Sequence, residues 1–228
     1  MKQLVRVLML SPKKINFQIS TDRSNFVLQI RWYMTKAERT RQFIIERSAP
    51  LLNTKGIAGT SMSDIMAATK LAKGGLYGNF ESKEELTQAV VDHNLKLLAD
   101  SLDAAIAKAD TAREKLFAFL DFFKAPTQFP VQGGCPILNF GVESDDTDPI
   151  IKAKVKQRIE SAKAKASALI ELGKRNGEFK ESFDSKEFPI LMFSALEGGT
   201  LIGRVMNTNK QMNTVINMLK KMIEDQQI

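Results

Sequence analysis

Two helix-start signals lie close together in this sequence and limit what the stretch between them can form. Ser61 and Asp64 have the Ser-x-x-Asp/Glu spacing in which a side chain and the backbone cap each other at the start of a helix, and Ser82 and Glu85 repeat it. Between the two signals there is room for two short helices, the second at about residues 73–79. The pattern therefore predicts two short helices joined by a tight turn, with a long helix after them.

The chain from Met34 onward is patterned for helices. Apolar residues recur at three- and four-residue steps, and Gly56 and Gly177 stand where helices usually end. No internal repeat and no alternation of strand and helix patterns interrupts this. We therefore predict an all-α fold, with further helices at about residues 34–55, 82–107, 113–124, 155–176, 187–206 and 211–224.

Residues 1–33 differ from the rest. They show no sustained period, and only Ile15–Ile19 and Phe26–Ile30 alternate weakly, as strands do. These residues carry six Lys or Arg and one acidic residue, and residues 34–83 carry eight against four. Residues 84–228 carry nineteen basic and twenty-one acidic residues, so the positive charge is confined to the first third. A basic end suits contact with nucleic acid, although a solvated basic face would give the same count.

Several classes of protein are disfavoured by the residue content. Cys135 is the single cysteine, which excludes an intrachain disulfide and a thiolate metal cluster and fits a reducing, cytoplasmic setting. His93, the one histidine, lies mid-helix without a nucleophile or acid at a catalytic spacing, so a structural role is favoured. The acidic run at 145–148 suits an exposed turn that caps the next helix better than a metal site. No uninterrupted apolar stretch approaches the ~18–20 residues of a membrane span. We predict no enzyme activity, cofactor, metal or membrane association.

The second short helix has two different sides. Leu76 and Phe80 lie four residues apart and are expected to face the domain core. The opposite side carries Lys73, Gly74, Tyr77 and Asn79. In a helix-turn-helix the first helix crosses the DNA backbone and the second enters the major groove. This segment therefore predicts a helix-turn-helix at residues 61–80.

At these residues the sequence resembles the tetracycline-repressor (TetR) family of bacterial regulators. The resemblance covers Gly56, the run Thr60–Ile65, the run Lys73–Phe80 and the run Ser82–Leu86 with correct spacing. It implies that phosphates are contacted by Ser61, Ser63, Tyr77, Asn79 and Lys83. It also implies that Lys73 and Gly74 lie near base edges. Phosphate contacts fix register and base contacts fix sequence preference. A packing role for Tyr77 and a solvated role for Lys83 remain the alternatives.

The segment after the helix-turn-helix is expected to form a dimer. Its last helix has a narrow apolar seam, and the helix before it has a stripe of apolar and small residues. Together they predict a four-helix interface, two helices from each subunit, as in the family that the chain resembles. The alternative is the internal core of a single chain. The interface residues are Leu191, Ala195, Gly198, Ile202, Met212, Ile216, Leu219 and Ile223.

A small-molecule site is expected in the same segment. Phe and Met side chains supply adaptable apolar lining, and the loop Gly133–Asn139 interrupts the helices where a pocket would open. The resemblance implies a short, mobile helix here, between the pocket and the helix that carries the DNA-binding domain. The predicted ligand-binding residues are Phe119, Phe122, Phe123, Asn139 and Met192, although Phe and Met at helical spacing are also typical of plain core. Cys135, within the loop, is expected to be buried and inert.

These features predict three segments. Residues 1–33 are a poorly patterned basic extension, residues 34–83 a three-helix helix-turn-helix DNA-binding domain, and residues 84–228 a larger helical ligand-binding and dimerisation domain. The resemblance implies a cytoplasmic homodimeric repressor that a small-molecule inducer releases from a palindromic operator in double-stranded DNA. A helix-turn-helix protein without an inducer is the alternative.

Overall fold

The computed structural model describes residues 34–124 and 129–228, together with the backbone of two short segments nearer the N-terminus. In these residues two strands precede nine helices, and the chain divides into two units, Met1–Phe43 and Ile44–Ile228. The elements are β1 (Ile15–Gln18), β2 (Gln29–Trp32), α1 (Lys36–Lys55), α2 (Met62–Thr69), α3 (Lys73–Tyr77), α4 (Lys83–Ile106), α5 (Ala112–Phe122), α6 (Pro136–Ser144), α7 (Pro149–Arg175), α8 (Glu187–Val205) and α9 (Lys210–Glu224).

The two strands form a two-stranded antiparallel sheet in which Ile15 pairs with Trp32 and Gln18 with Gln29. The first strand lies where the sequence predicts it, whereas the second begins at Gln29, three residues after the expected Phe26. The remaining residues of the predicted extension 1–33 lie outside the described part of the chain. Apart from this small sheet and an isolated antiparallel bridge between Phe179 and Gln227, the described secondary structure is helical, which confirms the predicted all-α class.

The first four helices share one apolar core. Leu52 of α1, Ile65 of α2, Leu76 of α3 and Leu86 of α4 are each at most 2% exposed and belong to the same buried cluster. Pro50 lies inside α1, where it supplies no backbone N–H. α1 ends at Lys55, and Gly56 has a φ of +80°, a conformation that glycine adopts at little cost. The end of the first helix is therefore where the sequence predicts it.

One predicted loop is partly a helix. Gly133 and Gly134 have positive φ values and form an irregular connection, but α6 begins at Pro136 and contains Asn139. Proline is favoured in the first turn of a helix because its fixed φ suits the helix and its missing N–H would have no intrahelical partner there. The Gly-Gly-Cys-Pro run therefore starts a helix and does not continue a loop.

Helices α4 to α9 pack around a second part of the apolar core, in which α7 contacts α5, α6 and α8, and α9 packs on α8 and α5. In the described part of the chain one helix, α8, is long and apolar enough to cross a membrane by length and composition alone. About half of this helix is buried inside the chain, which is the packing of a core helix.

Candidate DNA-binding surface and ligand site

The start of α2 is fixed by the predicted capping box. The Ser61 hydroxyl accepts a hydrogen bond from the backbone N–H of Asp64, and the Asp64 carboxylate accepts one from the backbone N–H of Ser61. Lys55 forms an ion pair with Asp64 at 2.7 Å, and together with the Ser61 hydrogen bonds it holds the pKa of Asp64 well below its usual value. α2 is therefore attached by a polar contact to the end of α1.

The second predicted capping box is half formed. The Ser82 hydroxyl accepts from the backbone N–H of Glu85, as expected, and α4 begins at Lys83. The Glu85 carboxylate accepts from the backbone N–H of Glu81, whereas a full capping box requires it to accept from the backbone N–H of Ser82. The long helix nevertheless starts where the sequence places its start.

α3 divides into the two predicted sides. Leu76 is fully buried and Phe80, just after the helix, is 2% exposed. Lys73 and Gly74 are exposed, Tyr77 is 44% exposed, and the Lys73 ammonium lies 5.7 Å from the centre of the Tyr77 ring. A Cβ added to Gly74 would meet no atom within 4 Å, so an approaching surface can reach the backbone there. The side away from the core thus presents a cation, an aromatic hydroxyl and bare backbone.

The other four residues predicted to contact DNA differ in the hydrogen bonds that they already make within the chain. Ser63 is exposed, and Ser61 is exposed but donates its hydroxyl proton to Asp64. Asn79 is half-buried, and its amide donates to the carbonyl of Gly75 at 2.8 Å. The Lys83 ammonium donates to the carbonyl of Ile57 at 3.0 Å, which joins the start of α4 to the loop between α1 and α2. An ammonium has three donors, so this bond leaves Lys83 capacity for a phosphate.

Three of the predicted ligand residues meet at a cavity of about 100 Å³ between α4, α5, α6, α7 and α8. Phe119, Phe122 and Phe123 line it from α5, and their rings pack at centroid distances of 5.7 to 6.2 Å. Leucines of α4, Ile137 of α6 and Phe193 of α8 complete the apolar lining. Ser161, Arg158 and Lys165 line the cavity from α7.

Asn139 and Met192, the other two predicted ligand residues, do not line this cavity. Met192 is fully buried in the core. The Asn139 amide instead donates to the backbone carbonyls of Asn53 and Gly133 and to the side-chain oxygen of Asn53. An asparagine amide has a donor group that could serve a ligand, and here backbone carbonyls and another asparagine occupy that donor.

Asn53 and Glu143 are contacts that sequence reasoning missed. The buried Asn53 of α1 donates to the carbonyls of Gln132 and Gly134, both at 3.0 Å. The two carboxylate oxygens of Glu143 accept from the backbone N–H groups of Ile57 and Ala58 at 2.7 and 2.6 Å. α6 and the loop before it are therefore hydrogen-bonded to α1 and to the α1–α2 loop. Partners about 80 residues apart in the chain leave no local sequence signal.

The predicted dimer seam is divided between two environments. On α8, Leu191 and Ile202 are each 47% exposed, and a Cβ on Gly198 would meet nothing within 4 Å. On α9 all four predicted residues are buried in the single chain, at 0 to 3% exposure: Met212, Ile216, Leu219 and Ile223. For α9 the structure therefore corrects the prediction in favour of the alternative, since these side chains pack in the core of their own chain. Met218 and Met222 are the exposed large apolar side chains on α9.

Cys135 is buried, and its thiol donates to the Glu197 carboxylate at 3.1 Å. Burial raises the pKa of Cys135 well above its usual value, and the nearby Glu197 carboxylate adds to this. Burial also raises the pKa of Glu197 to about 7, and the second carboxylate oxygen has no hydrogen-bond partner in the described part of the chain. Across the described residues there is no group of three or more His, Cys, Asp or Glu side chains that could hold a metal ion.

Two family models match the chain. The model for bacterial regulatory proteins of the tetR family matches residues 44–90, and the model for the tetracyclin repressor-like C-terminal domain matches residues 112–219. The first match contains the helix-turn-helix, and the second contains most of the helices around the Phe-lined cavity.

Known proteins agree with these matches over most of the chain. A TetR transcriptional regulator from Chloroflexus aurantiacus J-10-FL is 34% identical with a TM-score of 0.81, and the match covers 85% of this chain and 98% of that one. A TetR-family regulator from Cytophaga hutchinsonii is 35% identical with a TM-score of 0.80, covering 86% and 98%. A transcriptional repressor of Mycobacterium sp. (strain GP1), DhaR, is 25% identical over 50% of this chain and 57% of its own. The chain spans about six tenths of the length of the curated relatives that it matches.

Proposed function

Because this chain belongs to the TetR family of transcriptional regulators, we propose that it is a homodimeric repressor that a small molecule releases from a palindromic operator. The family and fold are those of a regulator with a helix-turn-helix DNA-binding domain, not of an enzyme. The observation that carries the proposal is the exposed side of α3, where Lys73, Gly74 and Tyr77 stand opposite the buried Leu76. Repression is supported by the curated repressor among the relatives, and a cytoplasmic location accords with action on DNA.

The DNA-binding domain is proposed to span residues 34–83 and to contact DNA through α2 and α3. Two such units held on one dimer fit successive major grooves about 34–36 Å apart, which is why a palindromic operator is expected. Lys73 and Gly74 lie where they can approach base edges. Ser61, Ser63, Tyr77, Asn79 and Lys83 are proposed to hold phosphates and so set the register.

We propose that α6 carries the effect of the inducer to the DNA-binding domain. Ile137 of α6 lines the Phe-rich cavity, and on the same helix Asn139, two residues further along, and Glu143, six residues further along, hold α1 and the α1–α2 loop. A ligand that moves Ile137 changes the position of α6, and this favours a state with weaker operator binding. Asn139→Ala should therefore change the response to inducer while leaving operator affinity without inducer nearly unchanged. Asn213→Ala, an exposed asparagine on α9, is the control.

The DNA-binding half of the proposal is tested by selecting bound sequences from a random pool of double-stranded DNA. We expect a palindromic consensus. Lys73→Ala should change the preferred bases, whereas Lys83→Ala should weaken binding on all sequences alike and reduce the salt slope by about one. Lys108→Ala, an exposed lysine beyond α4, is the charge-matched control and should change neither.

Tyr77→Phe separates the phosphate role of Tyr77 from packing, because it removes the hydroxyl and keeps the ring. Loss of one hydrogen bond should weaken operator binding by about fivefold on every sequence, with no change in the melting temperature. Unaltered binding by the Lys73 and Lys83 variants, or selection without a palindrome, would contradict the proposed surface.

A further inference from the structure

The Phe-lined cavity has an apolar interior and charged groups at its edge. Phe119 is fully buried and Phe123 is 3% exposed, whereas Ser161 and Asp103 at the edge are exposed. An apolar cavity on the order of 150 Å³ is large enough to admit benzene. The cavity found here is smaller, about 100 Å³, but it opens to solvent at its edge, so it suits nothing larger than a single ring, which aromatic side chains hold by packing edge to face or offset against it.

The two cations that line this cavity, both on α7, are not equivalent. Lys165 forms an ion pair with Asp103 of α4, so its charge is already matched, and desolvation lowers its pKa. Arg158, about two turns earlier on α7, is half-buried and lines the same cavity. Its guanidinium takes part in no ion pair or side-chain hydrogen bond within the described part of the chain. Among the residues that the structure describes, the edge of the cavity therefore carries one unmatched positive charge.

A half-buried guanidinium without a partner is costly unless an anion joins it, because it has lost part of its hydration and gained nothing in exchange. Its planar fork matches a carboxylate, which accepts two parallel hydrogen bonds from it. A ligand with a ring in the Phe-lined interior and a carboxylate at the edge would satisfy both parts of the site. Asp103 does not oppose such an anion strongly, since Lys165 neutralises it.

We infer that the small molecule bound in this cavity is a single-ring aromatic carboxylate, with its ring among Phe119, Phe122 and Phe123 and its carboxylate on Arg158. This inference rests on the proposed function, in which the cavity is the inducer site, and it specifies the chemistry of the inducer. Arg158 sets the preference for an anion, and the phenylalanines set the preference for a flat ring.

The test measures direct binding of benzoate and benzamide to the full chain by calorimetry, without DNA. The two probes have the same shape and differ in charge at neutral pH. The parent should bind benzoate roughly tenfold more tightly than benzamide, and Arg158→Gln should reduce that ratio to within about twofold. Lys156→Gln, which removes an exposed cation next to Arg158 on α7 but outside the cavity, should preserve the ratio.

A cavity-filling variant locates the ring. Ala99 lines the cavity from α4, and Ala99→Leu should abolish binding of both probes while circular dichroism and operator binding show an intact fold. Equal affinity of the parent for the two probes, a preference for benzoate that survives in Arg158→Gln, or binding that survives in Ala99→Leu would each overturn the inference.

Operator release is measured separately on the same samples. Benzoate binding that depends on Arg158 but leaves operator binding unchanged would support the anion site and contradict the proposed inducer role of the cavity. Operator release by benzamide, with no preferential binding of benzoate, would support the proposed function and overturn the inference about the anion.

Discussion

The last two helices, α8 and α9, carry similar apolar stripes in the sequence but place them in opposite environments. The stripe on α9 is buried in its own chain, with Ile216 at 1% exposure, whereas Leu191 and Ile202 on α8 remain about half exposed. The glycines of α8 show the same division. A Cβ on Gly199 would lie 3.2 Å from Met212 of α9, but one on Gly198 would face open space.

Apolar residues at three- and four-residue steps predict that one face of a helix is buried. They do not show whether the same chain or a partner chain buries it. α8 is apolar over more than one face, so α9 and the rest of the chain bury one side and leave the other. The apolar residues of α9 form one narrow stripe, and that stripe is buried within the same chain. We therefore retain Leu191, Ala195, Gly198 and Ile202 as the proposed dimer surface and add the exposed Met218 and Met222 of α9.

The largest expected loss of stability comes from a substitution in the buried stripe of α9. Ile216→Asp places an unpaired charge in the core, so the free energy of unfolding of the chain should fall by about 4 kcal/mol or more. Denaturant titration measures this. Asn217→Asp introduces the same side chain at the next, exposed position and should change stability by less than about 0.5 kcal/mol. If the Ile216→Asp variant folded stably and only failed to dimerise, then α9, like α8, would face another chain.

A second substitution tests the exposed stripe. Ile202→Asp should leave each chain folded but weaken dimerisation by about a hundredfold, because it places a charge from each chain in the proposed apolar interface. Sedimentation equilibrium measures the dissociation constant. The control is Val142→Asp, which makes the same change at a 71% exposed position on α6 and should leave the dimer unchanged. A dimer that tolerates Ile202→Asp would place the interface elsewhere.

Glu197 lies on α8 between the exposed residues Ser194 and Leu201, yet it is only 9% exposed. Its pKa is raised to about 7 in the folded chain, so the folded state binds a proton more tightly than the unfolded state. The stabilisation is therefore complete below the ordinary pKa of a glutamate and is lost as the pH rises through about 7.

The free energy of unfolding should fall by about 2 kcal/mol more between pH 5 and pH 8 in the parent than in Glu197→Gln, which cannot ionise. Urea titrations at the two pH values measure the difference. Glu187→Gln, at an exposed carboxylate on the same helix, should behave like the parent. An equal pH dependence in the parent and Glu197→Gln would mean that Glu197 is hydrated, and the boundary between the buried and exposed sides of α8 would have to be redrawn.

Local signals allowed much of this structure to be predicted from the sequence. The Ser61–Asp64 capping box and the burial of Leu76 depend on residues within a few positions, and both were predicted correctly. Gly133, Gly134 and Pro136 together predict a loop here, whereas in the structure only the glycines form an irregular connection and the proline starts a helix. The Glu143 contact to the α1–α2 loop could not be predicted, because it depends on how two distant segments pack.

The smallest effect is expected at Cys135, where the loop before α6 meets the buried side of α8. Its thiol is 1% exposed, and burial beside Glu197 raises its pKa, so the reactive thiolate is scarce at neutral pH. In Cys135→Ser the hydroxyl still donates to Glu197, and we expect a change in stability below about 1 kcal/mol with operator binding and its release by ligand intact.

A thiol reagent should label the folded parent far more slowly than the unfolded chain, which reports the burial directly. Mild oxidation should leave operator binding of the parent unchanged. If oxidation abolished operator binding in the parent but not in Cys135→Ser, the thiol would be a sensor, and the contact between Cys135 and Glu197 would have to open readily in solution.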